Sequence, residues 1–128
     1  MLELSFNQKT VHELLQASDR PLKAYTILSE IQKLGIKSPT QVYRALEKLI
    51  ELGIVHKIES KNSYIVCKIN NCSKQLSTSF LMCNKCDNVV EIEDHHFEDR
   101  LNKLSKKFNT QYLHHKLEIY GTCEDCIL

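Results

Sequence analysis

The chain has no tryptophan, only three glycines and only two prolines in 128 residues. With so few glycines, no glycine-rich loop is present to cradle phosphates. No His-Glu-x-x-His motif or nucleophile-base pair occurs, so an enzyme with a small-molecule substrate is not expected. No stretch approaches the roughly 18 apolar residues of a membrane span, and no basic-then-apolar leader opens the chain. A cytoplasmic protein with no membrane part is the expectation. Neither sign of charge dominates: the formal net charge is +1, with nine Lys/Arg against seven Asp/Glu in residues 1–61 and eight against nine thereafter. That asymmetry is too weak to establish nucleic-acid binding, and it leaves room for a local positive patch.

What the chain does have is cysteine: Cys67, Cys72, Cys83, Cys86, Cys123 and Cys126. In a reducing compartment paired cysteines more often hold metal than form structural disulfides. Cys83-Asn-Lys-Cys86 and Cys123-Glu-Asp-Cys126 are two Cys-x-x-Cys pairs, and together they offer the four thiolates that a structural zinc requires. The 36 residues between the pairs are too many for a compact ribbon. They read as strand (residues 88–92), helix capped by Asp94 and carrying Phe97, Leu101, Leu104 and Phe108, then an extended stretch from Gln111 to Tyr120. Two independent redox motifs are the alternative, disfavoured because such motifs open a helix after a strand. A sheet of this size buries little alone, so pairing with a second copy is expected.

The first half has a different pattern. Val11, Leu14 and Leu15 suggest a supporting helix over residues 6–17. Ala24, Ile27, Leu28, Ile31 and Leu34 form a second helical stripe, which Gly35 stops. Ser38-Pro-Thr-Gln41 reads as a helix start, with Ser38 capping and Gln41 reaching back. The helix that follows buries Val42, Leu46, Leu49 and Ile50 and ends at Gly53. Two helices joined by so short a turn make a helix-turn-helix. Residues 54–58 and 64–67, around the turn 59–63, complete a winged helix with a β-hairpin. Lys37, Thr40, Gln41, Tyr43 and Arg44 stand at the start of the second of these helices, where polar and basic groups meet phosphates and base edges in a major groove. An αα-hairpin serving only as a protein interface fits the same periodicity.

These motifs, taken together, resemble the ferric uptake regulator family, and most closely its zinc-uptake branch. The resemblance rests on Pro39-Thr-Gln-Val-Tyr-Arg-Ala-Leu46, on the stretch from Gly53 to Cys67, on Cys83-Asn-Lys-Cys86, and on the stretch from His114 to Cys126. It implies an α+β chain with a winged-helix DNA-binding domain at 1–68, a connector at 69–79 and a zinc-stapled α/β dimerisation domain at 80–128. It further implies a structural zinc on Cys83, Cys86, Cys123 and Cys126, and DNA contacts from the helix bearing Tyr43 and Arg44.

A second, regulatory zinc is implied at His56, Cys67 and Glu91, giving two Zn2+ per subunit. The family's connector histidine is replaced by Leu76, and Cys72 is the candidate to fill that gap. The alternative for Cys67 is a buried strand residue and for His56 a surface histidine. His114 aligns with a family histidine of a further metal site, but the His-x-His tract that accompanies it is absent, so a surface role is favoured. The function implied is a homodimeric repressor that binds double-stranded operators of zinc-uptake genes when zinc is bound. The alternatives are a family member answering to iron or thiol oxidation, and a structural zinc protein that does not bind DNA.

Overall fold

A computed structural model describes residues 3–68 and 77–127. The order is helix α1 (Phe6–Gln16), strand β1 (Leu22–Lys23), helices α2 (Ala24–Lys33) and α3 (Pro39–Glu51), strands β2 (Val55–Ile58), β3 (Ser63–Val66), β4 (Thr78–Cys83) and β5 (Val89–Glu91), helix α4 (His95–Lys107) and strand β6 (Lys116–Gly121). The strands form two three-stranded sheets, β1-β3-β2 and β5-β4-β6. The fold is α+β, as the motifs imply.

Local chemistry sets the helix ends. Gly35, at φ 101°, and Gly53, at φ 79°, take the left-handed position after α2 and α3. In each case the next residue reaches back to close the helix, Ile36 N–H to Ile31 O at 3.3 Å and Ile54 N–H to Leu49 O at 3.1 Å. Both are Schellman closures, which favour glycine because no Cβ meets the backbone there. Asn109, at φ 56°, does the same for α4.

The start of α3 differs from expectation. Pro39 occupies the first turn, but the Ser38 side chain makes no capping bond; its carbonyl accepts from Gln41 and Val42 instead. The capping box is on α1, where Ser5 Oγ accepts from Gln8 N–H at 3.2 Å and Gln8 Oε1 accepts from Ser5 N–H at 3.0 Å.

The winged helix has its own core. Val11 and Leu15 of α1, Ile27 and Ile31 of α2, and Val42, Leu46 and Leu49 of α3 are essentially inaccessible and pack with Val55 and Tyr64 of the hairpin. The two-residue β1, absent from the sequence reading, pairs Leu22 with Tyr64 and Lys23 with Ser63, tying the entry to α2 onto the wing.

The second sheet is built around β4, which begins at Thr78 inside the segment read as connector. It runs antiparallel to β5 and parallel to β6. Register sets two opposed rows. Phe80 pairs with Glu91 on one side and Glu118 on the other; the next row is Leu81 with Val90 and Ile119. Successive strand residues face opposite sides, so the sheet has a Phe80 face and a Leu81 face. Ile58 and Ile65 of the wing pack on Phe80 and Met82, with Val89 at the margin. This second core joins the wing to the sheet.

Candidate metal centres and nucleic-acid interface

Parallel pairing of β4 with β6 sets Cys83 opposite Gly121, which delivers Cys123 and Cys126 to Cys83 and Cys86. Asn84 N–H to Gly121 O at 2.7 Å and Thr122 Oγ1 to Asn84 Oδ1 at 2.9 Å fasten the two loops. The four Sγ atoms lie within 4.8 Å of one another, and Cys86 Sγ is 3.7 Å from Cys123 Sγ. Backbone N–H groups aim at the sulfurs: Lys85 and Cys123 donate to Cys83 and Asn88 donates to Cys86, each at 3.4 Å.

The acidities of these thiols diverge. The N–H groups of Cys123 and Lys85 pull the Cys83 thiol down to about 6. The Asn88 N–H lowers that of Cys86, but burial and the neighbouring thiols outweigh it and the net shift is upward. The Cys126 thiol is pushed up to about 12, first by Cys123 and then by Cys83. Four sulfurs this close resist joint ionisation unless a cation compensates them. The donor set therefore fits a thiophilic divalent ion such as zinc.

The second group sits where the wing meets the sheet. His56 of β2, Cys67 just beyond β3 and Glu91 at the end of β5 offer ligand atoms within 4.8 Å of one another. His56 and Glu91 are buried, their side chains 8% and 7% exposed, with His56 Nε2 3.1 Å from Glu91 Oε2. His56 Nε2 nevertheless has no hydrogen-bond partner among the described residues. A buried polar nitrogen facing a carboxylate without a hydrogen bond is costly, and a cation bound there would satisfy it. The other carboxylate oxygen, Glu91 Oε1, accepts from Lys68 N–H at 3.1 Å, which orients the group. Cys67 Sγ lies 3.9 Å from Glu91 Oε2. Cys67 is disulfide-bonded in this structure, so it becomes a thiolate ligand only on reduction. Cys72, the candidate for a further ligand, and Leu76 lie outside the described residues.

His115, not His114, has the structured environment. Its Nδ1 is 2.6 Å from the Tyr112 hydroxyl and its Nε2 is 3.0 Å from Ser79 Oγ, and its ring meets Phe97 edge-on at 5.3 Å. His114 is exposed. The sequence offers no local signal for His115, because its partners come from β4, α4 and the segment before β6.

Lys37, Thr40, Gln41, Tyr43 and Arg44 are all exposed at the start of α3, while Val42, Ala45, Leu46 and Leu49 of the same helix are buried. The helix is thus held by one face and presents polar and basic groups on the other.

Residues 2–120 match the ferric uptake regulator family. The chain belongs to this family. Among its relatives is the zinc uptake regulation protein of Escherichia coli (strain K12), 33% identical over 118 residues, which span 91% of this chain and 68% of that protein. A solved zinc uptake regulator complexed with zinc and DNA superposes with a TM-score of 0.87 at 30% identity, covering 98% of this chain and 84% of that one. Holo XcZur gives 0.86 at 33% identity, covering 97% of this chain and 86% of that one. Apo XcZur, at 34% identity and covering 99% and 87%, gives only 0.51. At near-equal identity, the overall arrangement of this family member is thus nearer to that of holo XcZur than to that of apo XcZur. None of its described helices is long and apolar enough to cross a membrane.

Proposed function

We propose that this chain is a zinc-responsive transcriptional repressor, not an enzyme, which binds double-stranded operator DNA of zinc-uptake genes as a homodimer in the cytoplasm. The observation that carries this reading is the origin of the second ligand group: His56 and Cys67 belong to the wing, and Glu91 belongs to the other sheet. An ion held there cross-links the two units and fixes the angle of the reading helix. A ligand that binds only one arrangement shifts the population toward it. The holo-like superposition supports the same reading.

Cys83, Cys86, Cys123 and Cys126 hold the structural zinc, which staples β4 to the chain beyond β6. His56, Cys67 and Glu91 hold the regulatory one, for two per subunit. Thr40, Gln41, Tyr43, Arg44 and Lys37 face the DNA. Leu81, Val90 and Ile119 form an exposed apolar row on the sheet, and Leu104 and Phe108 of α4 are 50% and 72% exposed. No residue of α4 is buried. Apolar surface of this extent marks a protein interface, and a second copy offers the matching face of a twofold dimer through residues 80–128.

The test is metal stoichiometry and operator binding measured in parallel, in reductant. We expect one zinc per chain to survive mild chelation, a second to exchange, and operator affinity to follow the second. Equal operator affinity with zinc and with chelator overturns the reading. A second reading, thiol oxidation acting on the same site, is favoured by one observation, the bonded state of Cys67. It predicts that peroxide removes the exchangeable zinc and operator binding together, and that a reductant restores both.

A further inference from the structure

The wing hairpin lies across the Phe80 face of the second sheet and is fastened at both ends. At its base, His56 approaches Glu91 on β5. At its tip, the short helical turn Glu59–Lys61 approaches the opposite edge strand, β6. There Glu118 Oε1 accepts two hydrogen bonds from one residue, from Ser60 N–H at 3.2 Å and from Ser60 Oγ at 2.9 Å. Beside it, Lys61 Nζ donates to Cys83 O at 3.4 Å. Between the two ends Ile58 and Ile65 rest on Phe80 and Met82. Glu91 and Glu118 are the two cross-strand partners of Phe80. The two carboxylates that meet the wing therefore stand on one row of the sheet, one at each edge.

We propose that Glu118 is a positioning residue for the regulatory site. By holding the hairpin tip without any metal, it presets the angle at which the hairpin base presents His56 and Cys67 to Glu91. The ordering that an incoming ion would otherwise have to impose is then partly complete before it arrives, which raises affinity without adding a ligand. Bonds from an N–H and an O–H to a carboxylate are charge-assisted and stronger than neutral ones. Metal ligands need only the base of the hairpin, so nothing in the donor set itself demands the tip contact. The inference rests on the proposed role of His56, Cys67 and Glu91 as a zinc site.

The test compares the reduced full chain with Glu118→Ala, Glu118→Gln and Ser60→Ala in two measurements. In the zinc-free regulatory state, with the four-cysteine site loaded, exchange of the Ser60 amide proton is followed by NMR. We expect it to quicken in Glu118→Ala and to stay near the parent rate in Glu118→Gln, whose side-chain oxygen still accepts. In competition with a chelator, the exchangeable zinc is expected to bind about three- to tenfold more weakly in Glu118→Ala, because the ion must then supply ordering comparable to about one net hydrogen bond. Ser60→Ala should lie between, and Glu118→Gln should recover most of the affinity. Retention of the tightly held zinc in every variant reports an intact fold. Unchanged amide exchange in Glu118→Ala overturns the proposal, as does exchange that quickens with no change in zinc affinity. If the parent chain takes up no exchangeable zinc, the zinc-site reading falls, and the positioning proposal falls with it. A parent chain that binds zinc as Glu118→Ala does removes the positioning role alone.

Discussion

Glu91 and Glu118 flank Phe80 in a single row across the second sheet, antiparallel on one side and parallel on the other. One meets His56 at the base of the wing and the other meets Ser60 at its tip. The wing is thus not a free hairpin: its orientation is tied to a sheet whose end carries the four-cysteine cluster.

Phe80 should matter to both ends. It is 1% exposed, and its ring meets the His56 ring edge-on with centroids 6.0 Å apart. Phe80→Ala is expected to cost about 3–5 kcal/mol of stability from lost burial and the cavity left behind. It should also weaken the exchangeable zinc. Leu46→Ala, in the winged-helix core, is expected to cost about 2–5 kcal/mol yet leave that zinc in place. Denaturant unfolding with parallel metal titration separates the two; equal zinc loss in both would mean that only global stability matters.

How much of this was legible beforehand follows from range. The stripe of α3, its stop at Gly53, the cap at Asp94 and the paired cysteines are signals within a few residues, and the chain displays them openly. The central strand was not legible: Thr78-Ser-Phe-Leu-Met-Cys83 is a short apolar run beside a knuckle, and its parallel partner β6 lies more than thirty residues away. Glu118 was unreadable for the same reason, since its meaning depends on register with Phe80 and on a turn 58 residues earlier. Glu91 and His56 are legible only through the family resemblance, because spacing alone does not bring β2 to β5. Ser38 had the residue types of a capping box, whereas the structure builds that box at Ser5.

Zinc uptake by the four-cysteine cluster should release protons. At pH 7.5 the Cys83 thiol, drawn down to about 6, is already ionised. Cys126, pushed up to about 12, and Cys86, also raised, still carry theirs. Zinc binds thiolates, so loading at that pH is expected to release at least the protons of Cys86 and Cys126. Because bound protons compete with the ion, affinity should rise with pH. It should fall more steeply below about 6, where Cys83 also takes up a proton. Calorimetry in buffers of different ionisation enthalpy counts the released protons; fewer than two at pH 7.5 would contradict this assignment.

The Leu81 face offers a direct test of dimerisation. Leu81, Val90 and Ile119 are 42%, 49% and 37% exposed, so a charge at Leu81 should cost the isolated chain only about 1–2 kcal/mol, from lost cross-strand packing and strand propensity. In a dimer that buries the row, the same charge would be desolvated without a partner. Leu81→Asp is therefore expected to sediment as a monomer that keeps its tightly held zinc, while the parent chain sediments as a dimer. A Leu81→Asp dimer would move the interface elsewhere.

Arg44 and Lys37 should separate base reading from backbone binding. Both are exposed at the start of α3, but Arg44 lies on the helix itself and Lys37 in the turn before it. A guanidinium in the major groove pairs two-pronged with guanine, whereas an ammonium meets phosphate as a point charge. Arg44→Ala is thus expected to cost about 1–3 kcal/mol on the operator and much less on unrelated duplex, narrowing the gap between them. Lys37→Ala should weaken both alike and reduce the slope of log affinity against log salt by about one. Fluorescence anisotropy over a salt series, on operator and scrambled duplexes with zinc saturating, yields both quantities. An Arg44→Ala loss equal on the two duplexes would make Arg44 a phosphate contact and leave Gln41 and Tyr43 as the readers of sequence.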